Sequence, residues 1–94
     1  MSFYVYVIQS EFDGSFYKGF SENYIERLNQ HNNAWSKYTS TKMPWKLVHV
    51  EIFTDKKSTL KREKVLKKYS HAQLQQLFQS GKNILNITAV RNPQ

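Results

Sequence analysis

Glu63 is the carboxylate whose position most needs a chemical reason. It is the only acid in the run from Lys56 to Lys68, which holds half of the chain's fourteen basic residues: Lys56, Lys57, Lys61, Arg62, Lys64, Lys67 and Lys68. A helix steps about 100° per residue, so positions 60, 63 and 66 share a side. Glu63 then lies between Leu60 and Leu66, on the face expected to meet the core. A carboxylate aimed inward must be paired, hydrogen-bonded or metal-bound. The alternative is a glutamate at the stripe's edge that reaches water or pairs with Lys67 one turn on. Arg27 and His31 stand four apart and share a helix face beside Ile25 and Leu28. An arginine can hold a phosphate through two parallel hydrogen bonds, and a histidine one turn away can position or shuttle a proton. An ordinary charged helix flank is the competing reading. Tyr4, Tyr6 and Tyr17 fall on strand-like segments, where packing is the commoner role for a phenol. Tyr6 and Tyr17 are spaced asymmetrically about Gly14, so spacing alone does not bring their hydroxyls together.

Other chemistries are excluded by composition. The chain has no cysteine, which removes disulfide partners, thiol nucleophiles and cysteine metal sites. Its three histidines, His31, His49 and His71, show no metal-ligand spacing, and Gly14, Gly19 and Gly81 are too isolated for a phosphate loop. No apolar run approaches the roughly 18 residues of a membrane span. The opening Met1-Ser2-Phe3-Tyr4 lacks the basic start of a signal peptide, so a cytoplasmic domain without a membrane partner is expected. Fourteen Lys and Arg against seven Asp and Glu leave a net charge of +7 in 94 residues. That balance points to a polyanion, nucleic acid first, against the alternative of a solvated face that maintains solubility.

The elements that must position these residues follow from local patterns. Phe3 to Gln9 is β-branched and aromatic throughout and reads as a strand covered on both faces. Asp13-Gly14 signals a hairpin turn, and Ser15 to Gly19 returns as a second strand. Asn23 with Glu26 caps a helix running to about His31, which Asn32-Asn33 stops. Ala34 to Pro44 reads as a loop long enough to suspect function. Trp45 to Thr54 alternates as a third strand, with Val48, Val50 and Ile52 on one side. Asp55 caps a helix ending near Tyr69, and Ser70 with Gln73 forms a capping box for another. There Leu74, Leu77 and Phe78 make the core stripe and Gly81 the terminating residue. Residues 1–82 are expected to form the domain and 83–94 a weakly ordered tail. The order β-β-α-β-α-α gives an α+β fold, a small three-stranded, mainly antiparallel sheet flanked by helices. Its core should be Val5, Val7, Leu28, Val48, Val50, Leu60, Leu66, Leu74 and Leu77.

These residues together resemble the GIY-YIG nuclease superfamily, especially its small single-domain bacterial members. Tyr4-Val5-Tyr6 stands for the first triplet and Tyr17-Lys18-Gly19 for the second. Glu26-Arg27-Leu28-Asn29-Gln30-His31-Asn32 stands for the arginine-bearing helix. Lys37-Tyr38-Thr39-Ser40, Pro44-Trp45-Lys46-Leu47-Val48 and Lys61-Arg62-Glu63-Lys64 follow in order, so the likeness covers residues 3–80. Two positions depart from the pattern. Tyr4 replaces the first glycine, as in the tyrosine-opening variants, and Phe20 stands where some DNA-repair members carry a lysine. The nearest candidate for the family's late asparagine is Asn83.

The resemblance implies a metal-dependent endonuclease that hydrolyses phosphodiester bonds of nucleic acid, with DNA as the expected polymer. It implies one divalent cation, Mg²⁺ or Mn²⁺, on Glu63. Tyr6 or Tyr17 is implied as general base, with a phenol pKa lowered by nearby positive charge. Arg27 is implied as the stabiliser of phosphate charge and His31 as its assistant. Lys18, Lys37, Tyr38, Lys61, Arg62, Lys64 and Lys67 are the expected nucleic-acid contacts. Tyr6, Tyr17, Arg27, His31 and Glu63 should then line one concave, positive patch. The rival readings are an inactive nucleic-acid-binding module of the same fold, and a protein-interaction domain using exposed Trp35, Tyr38 and Trp45. Substrate structure and oligomeric state are not legible from the residues.

Overall fold

A computed structural model of the chain describes residues 2–86. Strands β1 (Phe3–Ser10), β2 (Phe16–Ser21) and β3 (Trp45–Phe53) form one antiparallel sheet in the order β2-β1-β3. Helix α1 (Tyr24–His31) follows β2, and α3 (Lys56–Leu66) and α4 (His71–Phe78) follow β3. This is the expected α+β order with two additions, one of them a helical stretch over residues 84–86. The segment read as a loop contains a single-turn helix, α2 (Lys37–Ser40), tied down because the Trp45 indole donates to the Thr39 carbonyl at 2.8 Å.

The local stop and start signals operate as their chemistry requires. The Asn23 and Asp55 side chains accept from the backbone N–H of Glu26 and Ser58 at 3.0 and 2.8 Å, and Ser70 and Gln73 cap α4 reciprocally. Gly14 sits at the hairpin with φ +79°, a conformation that favours glycine. Two ends differ from expectation. Helix α3 stops at Leu66 rather than Tyr69, because the N–H groups of Lys68 and Tyr69 bond the carbonyls three residues back and tighten the chain. Helix α4 ends at the C-cap Gln79, and Gly81 does not adopt the left-handed conformation of a glycine terminator.

As the central strand, β1 is buried on both faces. Val5 and Val7 pack with Leu66, Leu74 and Leu77 beneath α3 and α4. Tyr6 and Ile8 pack on the other face with Trp45 and Val50, against Tyr24 and Leu28 of α1. The inward stripe of α1 is therefore Tyr24, Leu28 and His31, while Ile25 is exposed. Leu28, Val48 and Leu60 are half-buried rather than fully buried.

Strand β3 overturns the simple alternation. Val7 faces His49 but Ile8 faces Leu47, which leaves Val48 as an unmatched residue in a bulge. Val48 consequently joins the Val5–Val7 face while Val50 joins Tyr6 on the other, and Ile52 is half-exposed. Asn83 bridges this edge: its Oδ1 accepts from Val50 N–H at 3.2 Å and its Nδ2 donates to the Val48 and Phe78 carbonyls, both at 2.9 Å. The boundary expected at residue 82 thus falls inside packed chain, since Ile84 and Leu85 also pack against the Tyr6 side. Residues 87–94, the remainder of the expected tail, lie outside the described residues.

Candidate active site at the β2 edge

Gly19 is the pivot of the site because it faces Tyr6 across the β1–β2 pair. A Cβ built on Gly19 would stand 2.6 Å from the Tyr6 hydroxyl oxygen, so the phenol occupies the space that any side chain would need. Tyr6 is fully buried there, and its Oη lies 3.0 Å from His31 Nε2. His31 Nδ1 lies 3.0 Å from Thr39 Oγ1, whose own proton goes to the Ser36 carbonyl at 3.4 Å. That donor inventory assigns the roles: Nδ1–H donates to Thr39, and Nε2 offers its lone pair to the Tyr6 hydroxyl. Tyr17 adds a second phenol, its ring centroid 4.8 Å from that of His31 and 6.5 Å from that of Tyr6.

Charges around this chain of contacts set its protonation. Burial raises the Tyr6 phenol above its ordinary value, and the adjacent Arg27 guanidinium opposes the rise without cancelling it. A lowered phenol, expected from the resemblance, is therefore not what Tyr6 has. Burial, helped by the positive charge of Arg27, pushes His31 down, so its imidazole is neutral at pH 7. Contact with the Tyr6 phenol holds the Arg27 guanidinium firmly protonated.

In front of Gly19 opens a cleft of about 430 Å³, lined by Tyr17, Gly19, Phe20, Ser21, Glu22, Arg27, Lys56 and Glu63. Helices α1 and α3 cover opposite faces of the sheet, but β2 is an edge strand, and Arg27 and Glu63 both reach around it. Among the described residues the two make no ion pair with each other. The Glu63 carboxylate, 15% exposed, has only Lys67 Nζ at 3.7 Å, too far for a hydrogen bond. No cluster of three or more His, Asp or Glu gathers among the described residues, so a closed metal cage is absent. One unsaturated carboxylate beside an open cleft does fit Mg²⁺ or Mn²⁺, which Mg²⁺-type sites hold through one or two carboxylates plus water and phosphate oxygen.

The remaining sequence candidates divide. Lys61, Lys64 and Lys67 are exposed on or just beyond α3, and Lys37 and Tyr38 are exposed on α2. The Tyr38 ring lies 6.2 Å from that of Tyr17. Lys18 is half-buried, and burial together with nearby Lys67 pushes its ammonium pKa down. Two candidates lie elsewhere. Arg62 turns to the β3 edge and binds Glu51 through Nε and Nη2 at 2.9 and 3.1 Å. Asn83 is occupied with β3 backbone and is not in the cleft. Trp45 is 3% exposed, which removes one of the three aromatics of the protein-interaction reading. Sequence reasoning missed Thr39 and Lys56. The suspicion attached to the 34–44 loop was the available signal for Thr39; nothing in the basic run singled out Lys56.

A sequence model of the GIY-YIG catalytic domain matches residues 2–76. A UPF0213 protein of Staphylococcus epidermidis is 37% identical over 79 residues, 83% of this chain and 95% of the relative. One from Haloquadratum walsbyi is 35% identical over 82 residues, 86% and 91% of the two chains. The solution NMR structure of a UPF0213 protein from Bacillus halodurans superposes with a TM-score of 0.56 at 29% identity, covering 87% of each chain.

Proposed function

The chain belongs to the GIY-YIG family, and from that premise we propose that it is a metal-dependent endonuclease that hydrolyses phosphodiester bonds, with DNA as substrate. The observation that carries this reading is the pair Arg27 and Glu63, opposite charges lining one cleft without neutralising each other. In a purely structural role the two would gain by pairing. Held apart, they leave room for a phosphate on the guanidinium and a cation on the carboxylate.

Glu63 would hold a divalent cation, which when bound would supply Lewis-acid polarisation of the phosphate and stabilisation of the leaving oxygen. The chain's own residues do the rest. Arg27 holds the non-bridging oxygens and stabilises the charge that accumulates on them. Tyr6 and His31 do not line the cleft but are buried behind Gly19. Tyr6 therefore acts as base only for a water that reaches its Oη beside Gly19: as that water bonds phosphorus, its proton passes to Tyr6 Oη and the phenol proton passes to His31 Nε2. His31 becomes an imidazolium whose Nδ1–H stays bonded to Thr39. This exchange needs no phenolate beforehand, which suits a phenol raised by burial, and it needs the neutral imidazole that burial secures. Tyr17 forms the wall against which the substrate is held.

Incubation with plasmid DNA and Mn²⁺ or Mg²⁺, with an EDTA control, tests the reading. Cleavage that requires the metal and disappears in Glu63→Gln is expected. Cleavage retained in Glu63→Gln at wild-type rate overturns it, as does tight binding of DNA without cleavage under any divalent metal.

A further inference from the structure

We propose that Lys56 is a substrate-anchoring residue of this cleft, gripping a phosphate oxygen of the nucleic-acid backbone, and that Phe20 is its seat. The proposal rests on the nuclease reading above. Lys56 is the first residue of α3, where the helix dipole is positive and Lys57 adds a like charge, so electrostatics within the chain disfavour an ammonium there. Its Nζ nevertheless lies over the Phe20 ring, 5.7 Å from the centroid, on the wall shared with Arg27 and Glu63. An aromatic face attracts a cation electrostatically without neutralising its charge. Among the described residues Lys56 forms no ion pair, neither with Glu63 nor with Glu22 on the same wall. Its ammonium makes no hydrogen bond among the described residues, so its N–H groups that point away from the ring remain available to a phosphate, while the ring restricts where they point. Positive charge thus reaches this part of the cleft from α3, with Phe20 of β2 beneath it.

The test combines binding and turnover on the full chain. DNA binding is measured by titrating a fluorescent oligonucleotide in the Glu63→Gln background, where cleavage cannot interfere, across a salt series. Lys56→Ala should weaken binding about 5- to 10-fold and lower the salt slope by about one phosphate. In the wild-type background KM should rise by a similar factor with kcat changed less than about threefold. Lys56→Arg should recover most of the loss, since guanidinium keeps the charge and stacks on the ring. Phe20→Leu should raise KM about two- to threefold with an unchanged salt slope, because the charge remains but loses its seat. Lys46→Ala, which removes an equal charge from β3, is the control for net charge. Equal losses in Lys56→Ala and Lys46→Ala overturn the proposal. If wild-type protein binds DNA and cleaves it while Lys56→Ala does both equally well, the anchoring role fails and the nuclease reading stands. If wild-type protein neither binds nor cleaves, both fail.

Discussion

The two edges of the sheet carry nearly the same functional groups and put them to opposite uses. At the β3 edge Glu51 is saturated by His49 and Arg62, with Tyr69 against the guanidinium, although His49 Nδ1 is left buried without a partner among the described residues. Arg62 grips Glu51 with two hydrogen bonds, His49 Nε2 meets the same carboxylate at 2.8 Å, and the guanidinium lies 5.7 Å from the Tyr69 ring centroid. At the β2 edge His31, Glu63, Arg27 and Tyr6 form an open set, in which the carboxylate and the guanidinium line a cleft without pairing with each other, Glu63 having only a long contact to Lys67 among the described residues. The difference teaches that an inventory of residue types does not locate a site. What points to the candidate site is charge left unused beside an open cleft, because a satisfied carboxylate has nothing to offer a cation and a satisfied guanidinium nothing to offer a phosphate.

Exchanging amides for the two carboxylates gives the sharpest contrast. Glu63→Gln should abolish metal-dependent cleavage to background, keep or tighten DNA binding by removing a negative charge near phosphates, and shift the melting temperature little. Glu51→Gln should do the reverse. It should cost about 3 kcal/mol of stability by leaving Arg62 without its counter-charge, with cleavage per folded molecule retained. Thermal melts beside plasmid cleavage on both variants check this, and an inactive but stable Glu51→Gln would break the comparison.

The tyrosines extend it. Tyr6→Phe should lower cleavage by about 10²-fold or more by removing the relay. It should also cost about 1–3 kcal/mol, because His31 Nε2 loses its buried partner. Tyr69→Phe keeps the ring beneath Arg62 and should leave cleavage unchanged. Tyr17→Phe, which spares the Tyr6–His31 bond, should reduce cleavage less than Tyr6→Phe; the opposite ranking in single-turnover rates would assign the base to Tyr17.

Steric fit at the open edge predicts a further loss. Gly19→Ala forces the Tyr6 phenol away from the new methyl and should destabilise by about 1–3 kcal/mol, with a drop in kcat beyond what the folded fraction explains. Equal kcat per folded molecule would show that the phenol's position does not matter to turnover.

Acid separates the edges by a smaller effect. Burial alone would raise Glu51, but its hydrogen bonds from His49 and Arg62 prevail and hold it below its ordinary 4.5. Its contribution to stability is therefore full above that value and is lost as pH falls through the lower folded value. His31 is likewise depressed below 6.5, by burial and Arg27. The unfolded chain takes up that proton first, so stability begins to decline as pH falls below 6.5, and the acid limb of kcat should lie below 6.5 as well. In melts against pH, Glu51→Gln should flatten the decline below pH 4.5 while leaving the one that begins at 6.5.

Much of this protein is written in short-range pattern. The hairpin at Asp13-Gly14, the caps Asn23, Asp55 and Ser70, and the order of strands and helices each depend on residues within four positions of one another. The triplets Tyr4-Val5-Tyr6 and Tyr17-Lys18-Gly19, with Arg27 and Glu63, likewise carry the family resemblance in the sequence, and the family model matches residues 2–76. Pairing across the fold was not legible. The bulge that sends Val48 and Val50 to opposite faces arises from the match to β1, and Asn83 turned out to close that edge rather than to serve the cleft. Arg62 and Glu63 are neighbours in sequence, yet one is spent on Glu51 and the other left open to the cleft. Nothing local distinguishes them, because a side chain's availability depends on the partners that distant segments bring to it. The sequence by itself settled the three strands and the three longer helices and which groups they carry; only the tertiary structure revealed α2 and decided which of those groups remain free to act.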